Sequence, residues 1–254
     1  RGPEGGVAGC RVHPDFYDGP DSAPSYEDDR TWTIYAEDVQ TTFTFAGLAA
    51  HLAWCYDQLG ETALANSYLD KAEDAYDWAI THMESPGEEI SNSWLYAAAC
   101  LYKATAVPVF QNHFITEYGK ISSGPYASDN KKFAVWAYIT TGHAGIDANQ
   151  KNICISYAKS IADGNIVNTA EFRSFRVGFG LGDHISLGQT TTPKVFPALV
   201  AYYVTGEEKY LTASEVSCDF FLGGNPMNML WMTGYGDQHP RQVLHLDTWF
   251  REDG

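Results

Sequence analysis

The sequence predicts an all-α protein built from helical hairpins. Three observations predict it: helical hydrophobic periodicity resumes after every turn signal, strongly enclosed helices alternate with amphipathic ones, and the alternation recurs with a period of about 40 residues. Thr41 to Leu59 carries Phe43, Phe45, Leu48, Leu52, Trp54, Tyr56 and Leu59 with alanine between them. It is apolar nearly all round, the mark of a helix enclosed by protein. Gly60 ends it. Glu61 to His82 instead places Tyr68, Leu69, Ala72, Tyr76, Ala79 and Ile80 on one face and acidic residues elsewhere, so this helix has a solvated side.

The same pairing follows three more times. "SNSWLYAAACLYKAT" is alanine-rich and enclosed, and Pro108 then opens a helix running to Gly119, where a first-turn proline costs no hydrogen bond. Asn130 to Thr141 pairs with Asp147 to Ala162, and Thr192 to Thr205 with Glu207 to Leu222. The turn "VTGEEKYLTA" of the last pair echoes "QLGETALANSYLDKA" of the first. Inner helices buried and outer ones half solvated suit either a solenoid or a closed toroid of helix pairs. Long, dissimilar loops, Arg1 to Thr33 and Glu171 to Thr191, favour the toroid, because individual loops on a rigid scaffold are where sites are built.

Composition narrows the function classes. An apolar fraction of 44% and a charged fraction of 19% over 254 residues describe a packed globular chain. The net charge of −16 repels phosphate polymers and anionic membranes, which excludes nucleic acid and membrane surfaces as partners. A neutral polysaccharide meets no such repulsion, and 7 Trp, 16 Tyr and 13 Phe supply flat faces on which sugar rings stack. The five cysteines sit mostly inside helical patterns and read as small buried hydrophobes, not as a disulfide framework.

The stretch "YLTASEVSCDFFLGGNPMNMLWMTGYGDQHP", beginning at Tyr210, carries the most specific pattern. A helix ends in Leu222, Gly223, Asn225 and Pro226. Thr233, Gly234, Tyr235, Gly236, Pro240 and finally His245 follow. With "GGVAGCRV", "DDRTWTIYAEDVQTTFTFAGLAAHLAWCYDQL" and "WLYAAACLYKAT", this resembles glycoside hydrolase family 9, whose members cut β-1,4-glucans with inversion. The resemblance spans most of the chain. It implies an (α/α)6 barrel of twelve helices in six pairs, of which residues 1–254 hold about four as part of one catalytic domain truncated at both ends, with residues 1–33 as a long cleft loop. It also implies a secreted protein with a polysaccharide substrate and further domains of the same polypeptide.

The resemblance places the family's water-activating aspartates upstream of Gly5 and its acid glutamate downstream of the histidine, so no catalytic carboxylate is expected here. Asp28, Asp29 and Asp247 are weak substitutes, since loop aspartates ordinarily shape turns. His245, Asp247, Arg30, Trp32, Trp94 and Tyr235 are the expected sugar contacts. Neutral imidazole both donates and accepts, which suits His245 to hydroxyl groups. Aspartate stands at position 247, where many members have arginine, and Ala8, Gly9 and Cys10 replace the Tyr-His-Lys that often follows Gly-Gly-Val. No cofactor is expected, although Asp28 and Asp29 are oxygen ligands of the kind structural calcium takes. The alternative is a non-catalytic carbohydrate-binding or structural protein on the same fold. Four pairs taken alone would also expose the faces that two further pairs cover.

Overall fold

A computed structural model describes residues 2, 4–8, 11–12, 33–34, 36–121, 129–172, 174–176 and 195–241. Among them lie nine α-helices: α1 (Val39–Gln58), α2 (Thr62–His82), α3 (Glu88–Thr105), α4 (Pro108–Tyr118), α5 (Asp129–Ile139), α6 (Ala148–Ala162), α7 (Asn168–Phe172), α8 (Phe196–Thr205) and α9 (Glu208–Phe221). A two-residue antiparallel ladder pairs β1 (Arg11–Val12) with β2 (Thr33–Ile34), Arg11 opposite Ile34. This all-α architecture is the expected set of four hairpins: α1/α2, α3/α4, α5/α6 and α8/α9. The inner helices α1, α3 and α5 lie side by side, with α2, α4 and α6 outside them.

The α1–α3 contact is close because the facing side chains are small. Ala46, Ala49, Ala50, Ala97 and Ala98 are buried. A Cβ on Gly47 would stand 2.5 Å from Tyr96 Cδ1 and 3.2 Å from the Ala97 Cα. Across the top of this layer Thr44 donates to Ser93 Oγ at 3.2 Å, and Asn130 Nδ2 donates to the same oxygen at 3.1 Å. These bonds tie the N-terminal parts of α1, α3 and α5 together. Phe43 stacks on Trp94 at 5.7 Å and, between layers, meets Tyr76 edge-on at 5.5 Å; Tyr76 in turn meets Phe110 edge-on at 5.2 Å.

Two hairpin turns share one geometry. Thr105 and Thr205 each return a hydroxyl hydrogen bond to the carbonyl four residues back, and each accepts from the amide two residues on. Between them Ala106 (φ 60°) and Gly206 (φ 70°) occupy the left-handed region. The repetition expected from sequence is therefore structural.

Three differences from expectation emerge. First, α6 does not stop at Ala162: a π-turn, Asp163–Val167, carries it on into α7. The extension lets Ile166, Val167 and Ala170 pack with Ala198, Ala201, Tyr210 and Ala213 in a second apolar cluster, separate from the main core. Second, α1 is not enclosed all round, since Leu48 is 57% exposed and Leu52 38%. Leu48 lines an open recess that α3, α5 and α8 also border. Third, the stretch before α1 is not loop throughout. Besides the ladder, the Val7 amide donates to Thr42 Oγ1 at 2.9 Å and the Asp38 amide to the Val7 carbonyl at 3.1 Å, which pins residues 2–8 to the start of α1.

The four described cysteines follow the sequence reading, and Cys10 lies outside the described residues. Cys100 and Cys154 are buried free thiols, pushed up by burial to about 12 and therefore inert. Cys55 and Cys218 are half-buried and also free.

Two substitutions test the packing with opposite signs. Gly47→Ala is expected to lower stability by roughly 1–3 kcal/mol, because the ring of Tyr96 and the backbone of Ala97 must give way. Ala106→Gly, which copies Gly206, is expected to raise it by roughly 1 kcal/mol by relieving a left-handed alanine. Urea unfolding of the two variants beside the parent measures both.

Candidate active-site face and the family

Topology gathers the irregular segments. In the first three hairpins the turns at 59–61, 106–107 and 140–147 lie at one end, and the connections before α1, at 83–87 and at 119–128 lie at the other. Segments 173–195 and 222–241 likewise follow outer helices. Every sugar-contact candidate belongs to a segment at the start of an inner helix or after an outer one. Asp28, Asp29, Arg30, Trp32, His245 and Asp247 lie outside the described residues. The first four fall between β1 and β2, so the ladder joins the two ends of their segment close to the start of α1.

Trp94 and Tyr235 are described. Trp94 sits in the second turn of α3, half-buried, its indole N–H donating to Tyr76 Oη at 2.6 Å and its ring stacked on Phe43. Tyr76 Oη also bonds His113 Nδ1 at 2.7 Å, and burial lowers the pKa of that imidazole. The polar atom of Trp94 is thus committed within the protein, which makes this residue part of the packing that steadies the top of α3. Tyr235 differs. It is 64% exposed, held between Gly234 (φ 78°) and Gly236 (φ 70°), backbone angles that only glycine adopts without strain.

The loop that carries Tyr235 is organised by one buried side chain. Asn225 Nδ2 donates to the Phe220 carbonyl at 2.8 Å and the Met229 carbonyl at 2.7 Å. Its Oδ1 accepts from the Met227 and Met229 amides at 3.1 and 3.3 Å. Both donors and both lone pairs of the amide are used, as a fully buried amide requires. The Trp231 amide donates to Phe221 and the Leu230 amide to Gln238, closing the loop back on α9. Gly223 (φ 124°) and Gly224, where a Cβ would meet the Asp219 carbonyl at 2.9 Å, allow the chain to leave the helix there. Asn225, Pro226 and the two glycine pairs are therefore architecture, and Trp231 adds a half-buried indole whose N–H finds no acceptor among the described residues.

Among the described residues no cluster of three His, Cys, Asp or Glu side chains is placed to hold a metal, and no helix is long and apolar enough to cross a membrane. The calcium ligands considered from sequence, Asp28 and Asp29, lie outside the described residues.

The family model for glycosyl hydrolase family 9 matches residues 12–251. The chain belongs to this family. It is 24% identical over 226 residues to the xyloglucan-specific endo-beta-1,4-glucanase BoGH9A of Bacteroides ovatus, covering 85% of this chain and 37% of that protein. Endoglucanase 23 of Oryza sativa subsp. japonica is 24% identical over 189 residues, 59% of this chain and 33% of that protein. A thermostable endoglucanase from Alicyclobacillus acidocaldarius superposes with a TM-score of 0.79 at 21% identity, covering 99% of this chain and 50% of that one. The family 9 chain thus has the fold of these enzymes, and it spans about a third of the length of the curated relatives and half of that structure.

Sequence reasoning passed over the opposite end of the inner layer. Lys103, 6% exposed, lies with its Nζ 4.0 Å from the centre of the Trp54 ring and donates to Thr140 Oγ1 at 2.7 Å. Burial lowers its pKa, and burial together with the Lys103 charge lowers that of His51. A lysine within "AAACLYKAT" was the available signal.

Two outcomes follow for this family 9 chain. Asn225→Leu strips four hydrogen bonds and is expected to cost about 2–4 kcal/mol in the local opening of residues 222–241, read as faster amide exchange at Met227 and Met229. For His51 the folded pKa lies below the unfolded value of 6.5, so the unfolded state binds more protons in that window. Its contribution is full above 6.5 and is lost as the pH falls below it. His51→Gln is therefore expected to flatten the pH dependence of stability on the acid side of 6.5, measured by denaturant midpoints.

Proposed function

We propose that this chain is part of a secreted glycosidase that cleaves β-1,4-linked glucan, cellulose or a related polysaccharide, with inversion. The observation that carries the reading is the family 9 match across residues 12–251, joined to an exposed aromatic at a glycine-flanked loop. Xyloglucan enters the substrate class through the Bacteroides relative, whose name states that specificity. Polymeric glucan of this kind cannot pass into a cell, which is why the work is assigned outside it.

Inversion needs a carboxylic acid to protonate the leaving oxygen and a carboxylate to activate water, roughly 6.5–9.5 Å apart so that the water fits between. In this reading both come from polypeptide beyond residues 1–254. The chain contributes the scaffold and one wall of the sugar site. Tyr235 and Trp32 supply stacking faces, while His245, Asp247 and Arg30 hold hydroxyl groups in a fixed pose. Restricting sugar orientation before the reaction is worth as much to the rate as the acid and base themselves when it sets the near-attack geometry. No cofactor takes part, because proton transfer and water attack suffice for acetal hydrolysis.

Reducing-sugar release from xyloglucan, mixed-linkage glucan and soluble cellulose by the natural full-length polypeptide is the test. Turnover of one of these is expected, with anomeric inversion visible by proton NMR. Tyr235→Ala is expected to raise KM about three- to tenfold with kcat little changed, the worth of one aromatic face. Binding of these polymers without any turnover would overturn the enzyme reading in favour of a carbohydrate-binding protein on the same fold.

A further inference from the structure

Side chains from three helices form one hydrogen-bonded chain. Trp94 of α3 donates its indole N–H to Tyr76 Oη of α2 at 2.6 Å, and that oxygen lies 2.7 Å from Nδ1 of His113 on α4. The order of donors fixes a proton. An indole N–H only donates, and a phenol has one hydrogen to give. Among the described residues Tyr76 Oη has no hydrogen-bond partner besides Trp94 and His113, so its hydrogen points at Nδ1, which must present a lone pair. His113 is therefore a neutral imidazole with its hydrogen on Nε2, and burial favours that form.

A proton added at Nδ1 ends this arrangement. Tyr76, 2% exposed, would then face two donors and keep its own hydrogen without an acceptor, the costly state of a buried polar group. An acceptor for the cation stands one helical turn along α4. Glu117 is fully buried, its Oε1 accepts from Lys120 at 2.6 Å, and its Oε2 has no hydrogen-bond partner among the described residues. Residues four apart are neighbours on a helix face, and the Glu117 charge favours protonated His113 against the effect of burial. From α2 the titratable groups are Tyr76 itself and Asp77, whose charge acts on the Tyr76 hydroxyl. From α3 Trp94 meets the imidazole edge-on at 5.5 Å and brings no charge.

We infer that His113 is an acid-sensitive pin with two positions. Neutral, it accepts from Tyr76 and so holds the indole of Trp94 in place; protonated, it turns to Glu117 Oε2 and releases both. Trp94 also stacks on Phe43 of α1, so release loosens a contact shared by α1, α2, α3 and α4. The inference concerns conformation and stands whether or not the protein hydrolyses glucan.

Side-chain NMR of the natural full-length polypeptide, carrying isotopic nitrogen at histidine and tryptophan only, tests it. His113→Gln and Trp94→Phe identify the two signals by their loss. Above the ordinary histidine pKa of 6.5, Nδ1 of His113 is expected to resonate as an unprotonated ring nitrogen and Nε2 as an N–H. As the pH falls below 6.5, the Trp94 indole signal is expected to move with the same midpoint as His113. In His113→Gln, whose amide oxygen accepts from Tyr76 at every pH, the Trp94 signal is expected to keep its neutral-pH position throughout. In Glu117→Gln the His113 midpoint is expected to fall by about half a pH unit or more, because the cation loses its counter-charge. A hydrogen on Nδ1 above 6.5 would overturn the inference, as would a Trp94 signal that ignores the His113 midpoint or titrates unchanged in His113→Gln. A His113 midpoint unmoved in Glu117→Gln would overturn the assignment of Glu117 as the second position.

Discussion

The close approach of α1 to α3 is the constraint on which the rest of the arrangement depends. Helix axes come that near only where neither side presents bulk, and here the absent side chain at Gly47 admits the edge of the Tyr96 ring. With the axes fixed, Thr44, Ser93 and Asn130 fall within hydrogen-bonding distance, so α5 is registered against the first two helices by a shared oxygen and not by apolar contact alone. Phe43 is likewise brought onto Trp94, and through it the inner layer is keyed to Tyr76 on the outer one. A wider α1–α3 spacing would loosen all of these together.

The described segments before α1 and after α9 are then held by polar groups at a few points. Thr42 donates to the Asp38 carbonyl while its oxygen accepts from the Val7 amide, and Asp38 caps α1 by accepting from the Thr41 amide at 2.7 Å. Asn225 does the equivalent work after α9. Both anchors stand at helix ends, where four backbone groups need partners in any case, so the loops are fixed by the same bonds that finish the helices. Such an arrangement lets loop sequence between anchors vary without disturbing the barrel.

The hairpins were legible because their signals are local. Period, capping residue and turn chemistry locate α1 to α6 and α9 within a few residues, and Asp38 and Asp147 cap as their positions suggest. What failed needed knowledge of neighbours. The helical pattern reads to Ala162, yet the chain runs on through a π-turn because Ile166, Val167 and Ala170 have a second cluster to join. Leu48 and Leu52 read as enclosed, since no local pattern tells a helix face turned to core from one turned to an open recess. Of the expected sugar-contact residues, only Trp94 and Tyr235 fall among the described residues, Tyr235 exposed between Gly234 and Gly236.

The two ends of the inner helices consequently do different physical work. At the N-terminal ends, Thr44, Ser93 and Asn130 join the inner helices by short polar bonds. At the C-terminal ends, Lys103 lies in a low-dielectric pocket of Trp54, Cys100 and Thr140, where a charge is held by one hydroxyl and one ring face. The hydroxyl and the ring face offset part of the cost of burying that charge.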